Sequence, residues 1–279
     1  MAKSASAAGR KPVMFVHVHK SGGSTMCHWA TAVGERLDPY GAWCATMRFA
    51  DFATPADYAR SPGPGRETAT CQERAQYFKK QALSWNVLEH ELCRGDLCFD
   101  DFVYFTVLRE TLDRIASQVN YEGPIDVDGV IRCIELSNAS ACPVSYRETG
   151  HARSWVFIDN LVVRMFGGCN ATNAPPGRLT RAHLDAAVRN LDRFAAVIPL
   201  ANLSSPRGQA AMDRVVGWHV PPDTEQFCQT DYAVVLTPVQ AARLRELNRW
   251  DVELVGRYLA AWEAAEGGRG RAPGLGQAV

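Results

Sequence analysis

The sequence predicts an α/β fold with three layers and a central, mainly parallel sheet. Three β-rich apolar runs, at residues 13–18, 102–108 and 194–200, are separated by stretches with helical periodicity. The first run ends in a glycine-rich turn followed by an amphipathic segment, the arrangement of a P-loop-like turn that binds an anion. Because ligands of parallel sheets bind at the carboxyl ends of the strands, we expect the site at that edge.

Length and composition describe an ordinary globular chain. It has 279 residues, of which 47% are hydrophobic and 22% charged, enough to bury a core. Thirty basic and thirty acidic residues cancel, so no global field favours nucleic acid as a partner. We predict a flexible N-terminus over residues 1–12, one domain over 13–265 and a disordered tail over 266–279. The sequence contains no run of about 18 apolar residues, so it predicts no membrane span.

Cysteine content favours an oxidising compartment. Nine cysteines occur without a CxxC pair, which predicts disulfides and no metal site. Cys93 with Cys98, and Cys133 with Cys142, are close enough in sequence to close small loops, and Cys27 is the candidate for an unpaired thiol. N-glycosylation acceptor sequences begin at Asn138, Asn170 and Asn202.

Helices are predicted between the apolar runs, in several cases with recognisable ends. Thr180 is a cap before the periodic residues Leu184 and Leu191, and Gly167-Gly168 stops the helix before it. A short apolar run at residues 85–88 leads into Glu89-His90-Glu91. The predicted helices cover residues 26–37, 73–83, 111–120, 127–136, 154–166, 180–193, 209–218 and 237–265.

The turn after the first strand has the residue types of an anion site. Its sequence is Lys20-Ser21-Gly22-Gly23-Ser24-Thr25. Glycines allow close approach of the backbone to a phosphate, the lysine adds a point charge, and Ser24 and Thr25 are able to cap the next helix. It is not the nucleoside-triphosphatase loop, because the lysine precedes the glycines. The alternative is an ordinary strand-to-helix turn with a surface lysine.

A second charged motif follows the 102–108 run. The spacing RxxxxRxxS is formed by Arg109, Arg114 and Ser117, at a strand end and the start of a helix. Arg109 is suited to pair bidentately with a phosphate. Alternatively, the arginines form surface salt bridges with Glu110 and Asp113.

Both motifs resemble those of sulfotransferases that use 3′-phosphoadenosine 5′-phosphosulfate (PAPS). FVHVHKSGGST is similar to the family's 5′-phosphosulfate loop, most of all in the Golgi carbohydrate (heparan and chondroitin) branch, with His19 in place of the usual proline. TVLRETLDRIASQVNY resembles the 3′-phosphate signature RDPxxRxxSxY, with Glu110 and Thr111 replacing aspartate and proline. The likeness covers residues 13–262.

The resemblance implies roles for individual residues. Residues 20–25 would bind the phosphosulfate, and Lys20 would also stabilise the departing phosphate. Arg109 and Ser117 would bind the 3′-phosphate, while Arg114 would orient the helix or the substrate. His90, in a segment similar to the family's GH-containing segment, would be the general base.

Other residues are also candidates for the general base. Glu89 and Glu91 flank His90, and some relatives use a glutamate. His17 and His19 flank the lysine loop. A neutral imidazole suits proton abstraction near pH 7 better than an unshifted carboxylate.

The sequence therefore predicts a PAPS-dependent sulfotransferase that acts on a hydroxyl, with a carbohydrate acceptor favoured through resemblance. No metal is required, and no nucleic-acid partner is expected. The Golgi lumen is the expected compartment, with a preceding membrane anchor outside this sequence and the cytoplasm as the alternative. Two alternative hypotheses are a non-catalytic luminal module that binds a nucleotide or a glycan, and a nucleotide-dependent kinase or hydrolase.

Overall fold

The computed structural model of the protein describes residues 11–36, 71–89, 97–122, 126–142, 154–220, 224 and 235–267. These residues divide into two compact units. The first contains the described residues up to 108 and those from 193 to 224. The second contains the described residues 109–192 and 235–267.

The first unit is built on a parallel sheet of four strands. These are β1 (Val13–His17), β2 (Trp85–Glu89), β3 (Val103–Leu108) and β4 (Ala196–Pro199). Their order is β2-β1-β3-β4, and every pair is parallel. The α/β class with a parallel sheet is confirmed, and β2 adds a fourth strand where the sequence showed only a short apolar run.

Helices begin and end close to the predicted positions, with two exceptions described below. Their bounds are α1 Gly23–Ala32, α2 Cys71–Gln81, α3 Thr111–Glu122, α4 Val127–Leu136, α5 Leu161–Phe166, α6 Cys169–Thr172, α7 Arg181–Leu191, α8 Pro206–Val216, α9 Pro238–Leu247 and α10 Arg249–Gly267. Helices α1, α2 and α8 belong to the unit of the sheet, and the others belong to the second unit.

Aromatic packing fills the first unit. All of β1 is buried, as expected for a central parallel strand. Phe15 stacks on Phe105 of β3 at 5.0 Å between ring centroids. Trp218, after α8, packs edge-on against Trp85 of β2 and donates a 2.9 Å hydrogen bond to Glu35. These contacts hold β2 and the segment after α8 to one core.

The second unit has its own apolar core. Residues of α3, α4 and α9 form it, together with Trp155 and Ile158. A polar network lies beside it, in which the buried Arg164 pairs with Asp159 and donates to the carbonyl oxygens of Ala171 and Ala174. Buried charges require such partners, so this network fixes the chain around α5 and α6.

Two predicted helices are interrupted. Residues 154–166 form a 3-10 turn, Ser154–Phe157, and then α5, because Asn160 adopts a left-handed conformation (φ 49°). The predicted helix 237–265 breaks at Asn248, whose side chain donates to the Leu244 carbonyl and accepts from the Asn160 N–H at 2.6 Å. The side-chain hydrogen bonds of these two asparagines stabilise the interruptions, because they take the place of the bonds that a continuous helix would make.

Disulfides correct two cysteine predictions. Cys133 pairs with Cys142 as the short loop suggested, at 4.9 Å between Cα atoms. Cys98 pairs with Cys71 rather than with Cys93, because the start of α2 lies beside the residues that lead into β3, with 5.5 Å between the Cα atoms. Cys27 is also disulfide-bonded, so its assignment as the unpaired thiol was wrong.

Among the described residues, no helix is both long and apolar enough to cross a bilayer.

Candidate anion-binding site

The lysine loop joins β1 to α1 at the carboxyl edge of the sheet. The Ser21 N–H donates to the Val18 carbonyl at 3.0 Å, which closes a tight turn. Lys20 and Gly22 both have left-handed backbones, with φ of 66° and 88°. A non-glycine residue with positive φ is uncommon and costs conformational energy. The chain therefore holds Lys20 in a strained position directly before the helix.

Both loop glycines are required by close neighbours. A Cβ on Gly22 would lie 2.8 Å from Leu200 Cδ1, in addition to its left-handed φ. A Cβ on Gly23 would lie 2.4 Å from His17 Nε2 and Cε1. The imidazole of His17 thus packs onto the first residue of α1. The sequence identified these glycines through anion binding, whereas packing in the first unit also demands them.

The start of α1 has the properties of an anion-binding site. Gly22 provides no side-chain cap, and the first turn contains no acidic residue. Ser21 is fully buried, and its hydroxyl has no hydrogen-bond partner among the described residues. Thr25 is buried as well, while Ser24 is exposed. A helix N-terminus attracts negative charge, and an unpaired buried hydroxyl is costly without a partner. An oxyanion bound here would accept a hydrogen bond from the Ser21 hydroxyl and would place negative charge at the N-terminus of α1.

Packing of His17 on Gly23 leads to a stability prediction. Gly23→Ala is expected to destabilise the protein by about 1–3 kcal/mol, the usual effect of overpacking. In a His17→Ala background the same change is expected to cost clearly less, because the ring is gone. Chemical denaturation of the four proteins measures this coupling.

Gly256→Ala is the matched control for Gly23→Ala. A Cβ at Gly256, in α10, meets nothing within 4 Å, and alanine favours a helix over glycine. This variant is expected to be neutral or stabilised. Equal destabilisation by Gly23→Ala with and without the His17 ring would contradict the packing.

The second motif lies in the second unit, where Glu110 directly precedes α3. Its carboxylate accepts a 2.9 Å hydrogen bond from the Asp113 N–H, and its carbonyl accepts from the Arg114 N–H. Glu110 thus caps the helix where the family's signature has aspartate. Arg109 precedes it in the chain and is partly exposed, and Ser117 is buried on α3.

Arg114 is fully buried and serves the packing of α3. Its Nη2 donates to the Phe157 carbonyl at 2.6 Å. Burial lowers the pKa of Arg114 to about 10, opposed by the charge of Asp251. Burial likewise raises the pKa of Asp251 to about 6, although Asp251 accepts from the N–H groups of Val162 and Val163. Of the two roles implied for Arg114, this environment favours orienting the helix.

Unpaired polar atoms are concentrated near the start of α3. Arg114 Nε and Nη1 and the Thr111 hydroxyl are buried and have no hydrogen-bond partner within the described part of the chain. Native proteins leave few such groups without partners. The sequence did not predict this feature, because unpaired atoms depend on the surrounding fold.

The candidate bases are only partly covered by the structure. His90 and Glu91 lie outside the described residues. Glu89 ends β2 and pairs in register with His17 of β1. His19 lies in the turn after β1, with its ring 6.2 Å from that of His17. The ends of β1 and β2 therefore leave the sheet side by side.

Within the described ranges, no group of three or more His, Cys, Asp and Glu side chains is arranged to hold a metal ion.

Comparison with protein-family models finds no matching family, and comparison with curated proteins finds no significant match.

Proposed function

We propose that this protein is a PAPS-dependent sulfotransferase that transfers the sulfuryl group to an acceptor hydroxyl, with a carbohydrate as the favoured acceptor. The observation that carries the proposal is the buried, unpaired hydroxyl of Ser21. It lies in a turn with two left-handed residues, before a helix that has neither a side-chain cap nor an acidic first turn. These features support the binding of an oxyanion, which we propose to be the phosphosulfate.

The transfer needs no metal in this proposal, because the loop supplies the countercharge. The acceptor oxygen forms a bond to sulfur while the bond from sulfur to the bridging phosphate oxygen breaks. The acceptor proton goes to a base, for which His90 is our candidate, and 3′,5′-bisphosphoadenosine leaves. Lys20 and the N–H groups of the loop neutralise the charge that develops on the leaving oxygen. The P-loop-like character of the turn is part of this proposal.

The second motif supplies the 3′-phosphate site in the same proposal. Arg109 and Ser117 bind the 3′-phosphate, as the resemblance implies. The unpaired buried atoms of Thr111 and Arg114 support a polar ligand near the start of α3. The disulfides support an oxidising compartment, and we propose the Golgi lumen.

Ligand-induced stabilisation tests the proposal directly. The full chain is heated with 3′,5′-bisphosphoadenosine, with ATP and magnesium, or with AMP. A ligand at one hundred times its Kd stabilises by about 2.7 kcal/mol, which corresponds to a rise in Tm of several degrees. At equal ligand concentration we expect a clearly larger rise with bisphosphoadenosine than with AMP or with ATP and magnesium.

Selective stabilisation by ATP and magnesium would instead favour a kinase or hydrolase. If bisphosphoadenosine stabilises the protein, sulfate transfer from PAPS is then measured on a panel of glycan, phenol, lipid and tyrosyl acceptors. Binding without transfer to any acceptor would favour a non-catalytic module.

Loss of the Arg109 side chain is expected to weaken the binding only of ligands that carry a 3′-phosphate. Arg109→Ala should weaken the binding of bisphosphoadenosine by about 1.5–3 kcal/mol, the range for a hydrogen bond to a charged group. Its effect on AMP, which lacks that phosphate, should be small. Isothermal titration of both ligands measures the difference.

Arg132→Ala is the matched control, since Arg132 is exposed and pairs with Asp126 on the surface. It should leave both affinities unchanged. Equal weakening of both ligands by Arg109→Ala would assign Arg109 a structural role.

A further inference from the structure

The three glycosylation acceptor sequences differ in their surroundings. Asn138 and Asn170 are exposed, whereas Asn202 is partly buried. We propose that Asn138 and Asn170 carry N-linked oligosaccharides and that Asn202 does not. This proposal is independent of the sulfotransferase activity, because it depends on exposure, local bonding and compartment alone.

The compartment argument comes from the disulfides. Cys71–Cys98 lies within the first unit, and Cys133–Cys142 lies within the second. Disulfides persist in the oxidising lumen where N-glycosylation takes place. A chain that forms them is therefore exposed to the same machinery.

Asn170 lies on the short helix α6, and its side chain faces solvent. The bond that ties this turn to its neighbours comes from Thr172 instead, whose hydroxyl donates to the Arg164 carbonyl at 2.9 Å. An oligosaccharide on Asn170 would extend into solvent without displacing that bond.

Asn138 follows α4, which ends at the left-handed residue Ser137. Its side-chain oxygen accepts a 3.1 Å hydrogen bond from the Ser140 N–H. The glycan attaches to the nitrogen of the same amide, so this local bond survives modification. The exposed side chain leaves room for the sugar.

Asn202 has the opposite environment. It lies in a 3-10 turn, Leu200–Asn202, directly after β4, and its carbonyl accepts from the Ser205 N–H and hydroxyl at 3.0 and 2.7 Å. Leu203, beside it, is fully buried, and Leu200 packs against Gly22 of the lysine loop. A bulky group on the Asn202 side chain would meet this packed edge of the sheet. We therefore expect the folded protein to carry no glycan at Asn202.

The covalent step is a transfer from a lipid-linked donor. The side-chain nitrogen forms a bond to the anomeric carbon of an oligosaccharide carried on a lipid pyrophosphate. The bond from that carbon to the pyrophosphate oxygen breaks, the lipid pyrophosphate leaves, and the amide loses one proton. The cell's oligosaccharyltransferase supplies the catalysis.

Site mapping tests the proposal. The full chain, directed to the secretory pathway of a eukaryotic cell by an added leader, is purified as folded, secreted protein. Peptide N-glycosidase in heavy-oxygen water converts each glycosylated asparagine to labelled aspartate. We expect label at Asn138 and Asn170 and none at Asn202. Any other set of labelled asparagines overturns the proposal.

Variants provide a second measurement by gel mobility and intact mass. Asn138→Gln and Asn170→Gln should each remove one glycan, and Asn202→Gln should remove none. Thr172→Ser is the control at Asn170, because it keeps the acceptor sequence and the hydroxyl. Retention of both glycans in either single variant overturns the assignment.

Discussion

Replacement of Lys20 by alanine is expected to lower sulfate transfer about a hundredfold or more, the usual loss when one donor to the transition state is removed. The physical reason is the charge that develops on the leaving phosphate oxygen, which the Lys20 ammonium would no longer neutralise. Binding of bisphosphoadenosine should suffer less. Turnover under saturating PAPS, together with calorimetric affinity, separates the two effects.

The left-handed backbone of Lys20 offers a sharper version of this experiment. Glycine adopts a φ of 66° without the strain that a side chain causes. Lys20→Gly should therefore unfold at the same temperature as the parent protein or higher, and still lose turnover as Lys20→Ala does. Loss of activity together with gain of stability cannot be attributed to misfolding.

Lys11→Ala is the matched control for charge. Lys11 is exposed, lies two residues before β1, and donates to the Phe99 carbonyl at 3.2 Å. Its loss should leave turnover unchanged. If Lys20→Ala and Lys20→Gly transfer sulfate at the parent rate, Lys20 has no part in the chemistry and the loop serves only to connect β1 with α1.

The lysine loop could be predicted because its signals are local. A buried strand, a lysine, two glycines and an amphipathic segment follow one another within residues 13–32, and each restricts the backbone where it stands. The same holds for β3 and the helix after it. Short-range patterns of this kind also located most helix ends within a few residues.

Long-range contacts could not be read in the same way. Leu200 lies against Gly22, and Cys71 pairs with Cys98, without any periodicity that connects the partners. The bond between Asn160 and Asn248 joins residues 88 positions apart and interrupts two predicted helices. Propensity favours continuous helices there, and specific side-chain hydrogen bonds override it.

The general base is the other group whose loss should have a large effect. His90 follows Glu89, the last residue of β2, and β2 pairs with β1, which leads into the lysine loop. The chain thus enters residue 90 from the strand adjacent to the one that presents Lys20. This topology is the structural argument for His90, since its own side chain lies outside the described residues.

His90→Ala is expected to lower turnover by about two to four orders of magnitude, the usual contribution of general acid–base catalysis. Affinity for bisphosphoadenosine should stay nearly intact, because the base contacts the acceptor rather than the nucleotide. An imidazolium must lose its proton before it can act as a base, so the parent's rate should rise with pH through the histidine range. That acidic limb should be missing from the residual activity of the variant.

Three matched variants distinguish His90 from its rivals. If His90→Ala retains a near-normal rate while Glu89→Gln or Glu91→Gln does not, the base is a carboxylate. His17→Ala needs more care, because the ring also packs on Gly23. A fall in turnover with bisphosphoadenosine affinity preserved would then assign proton transfer to His17, whereas a joint loss of rate and affinity would report a disturbed loop. The pattern across these variants therefore locates the acceptor hydroxyl, either beside the end of β2 or on the loop itself.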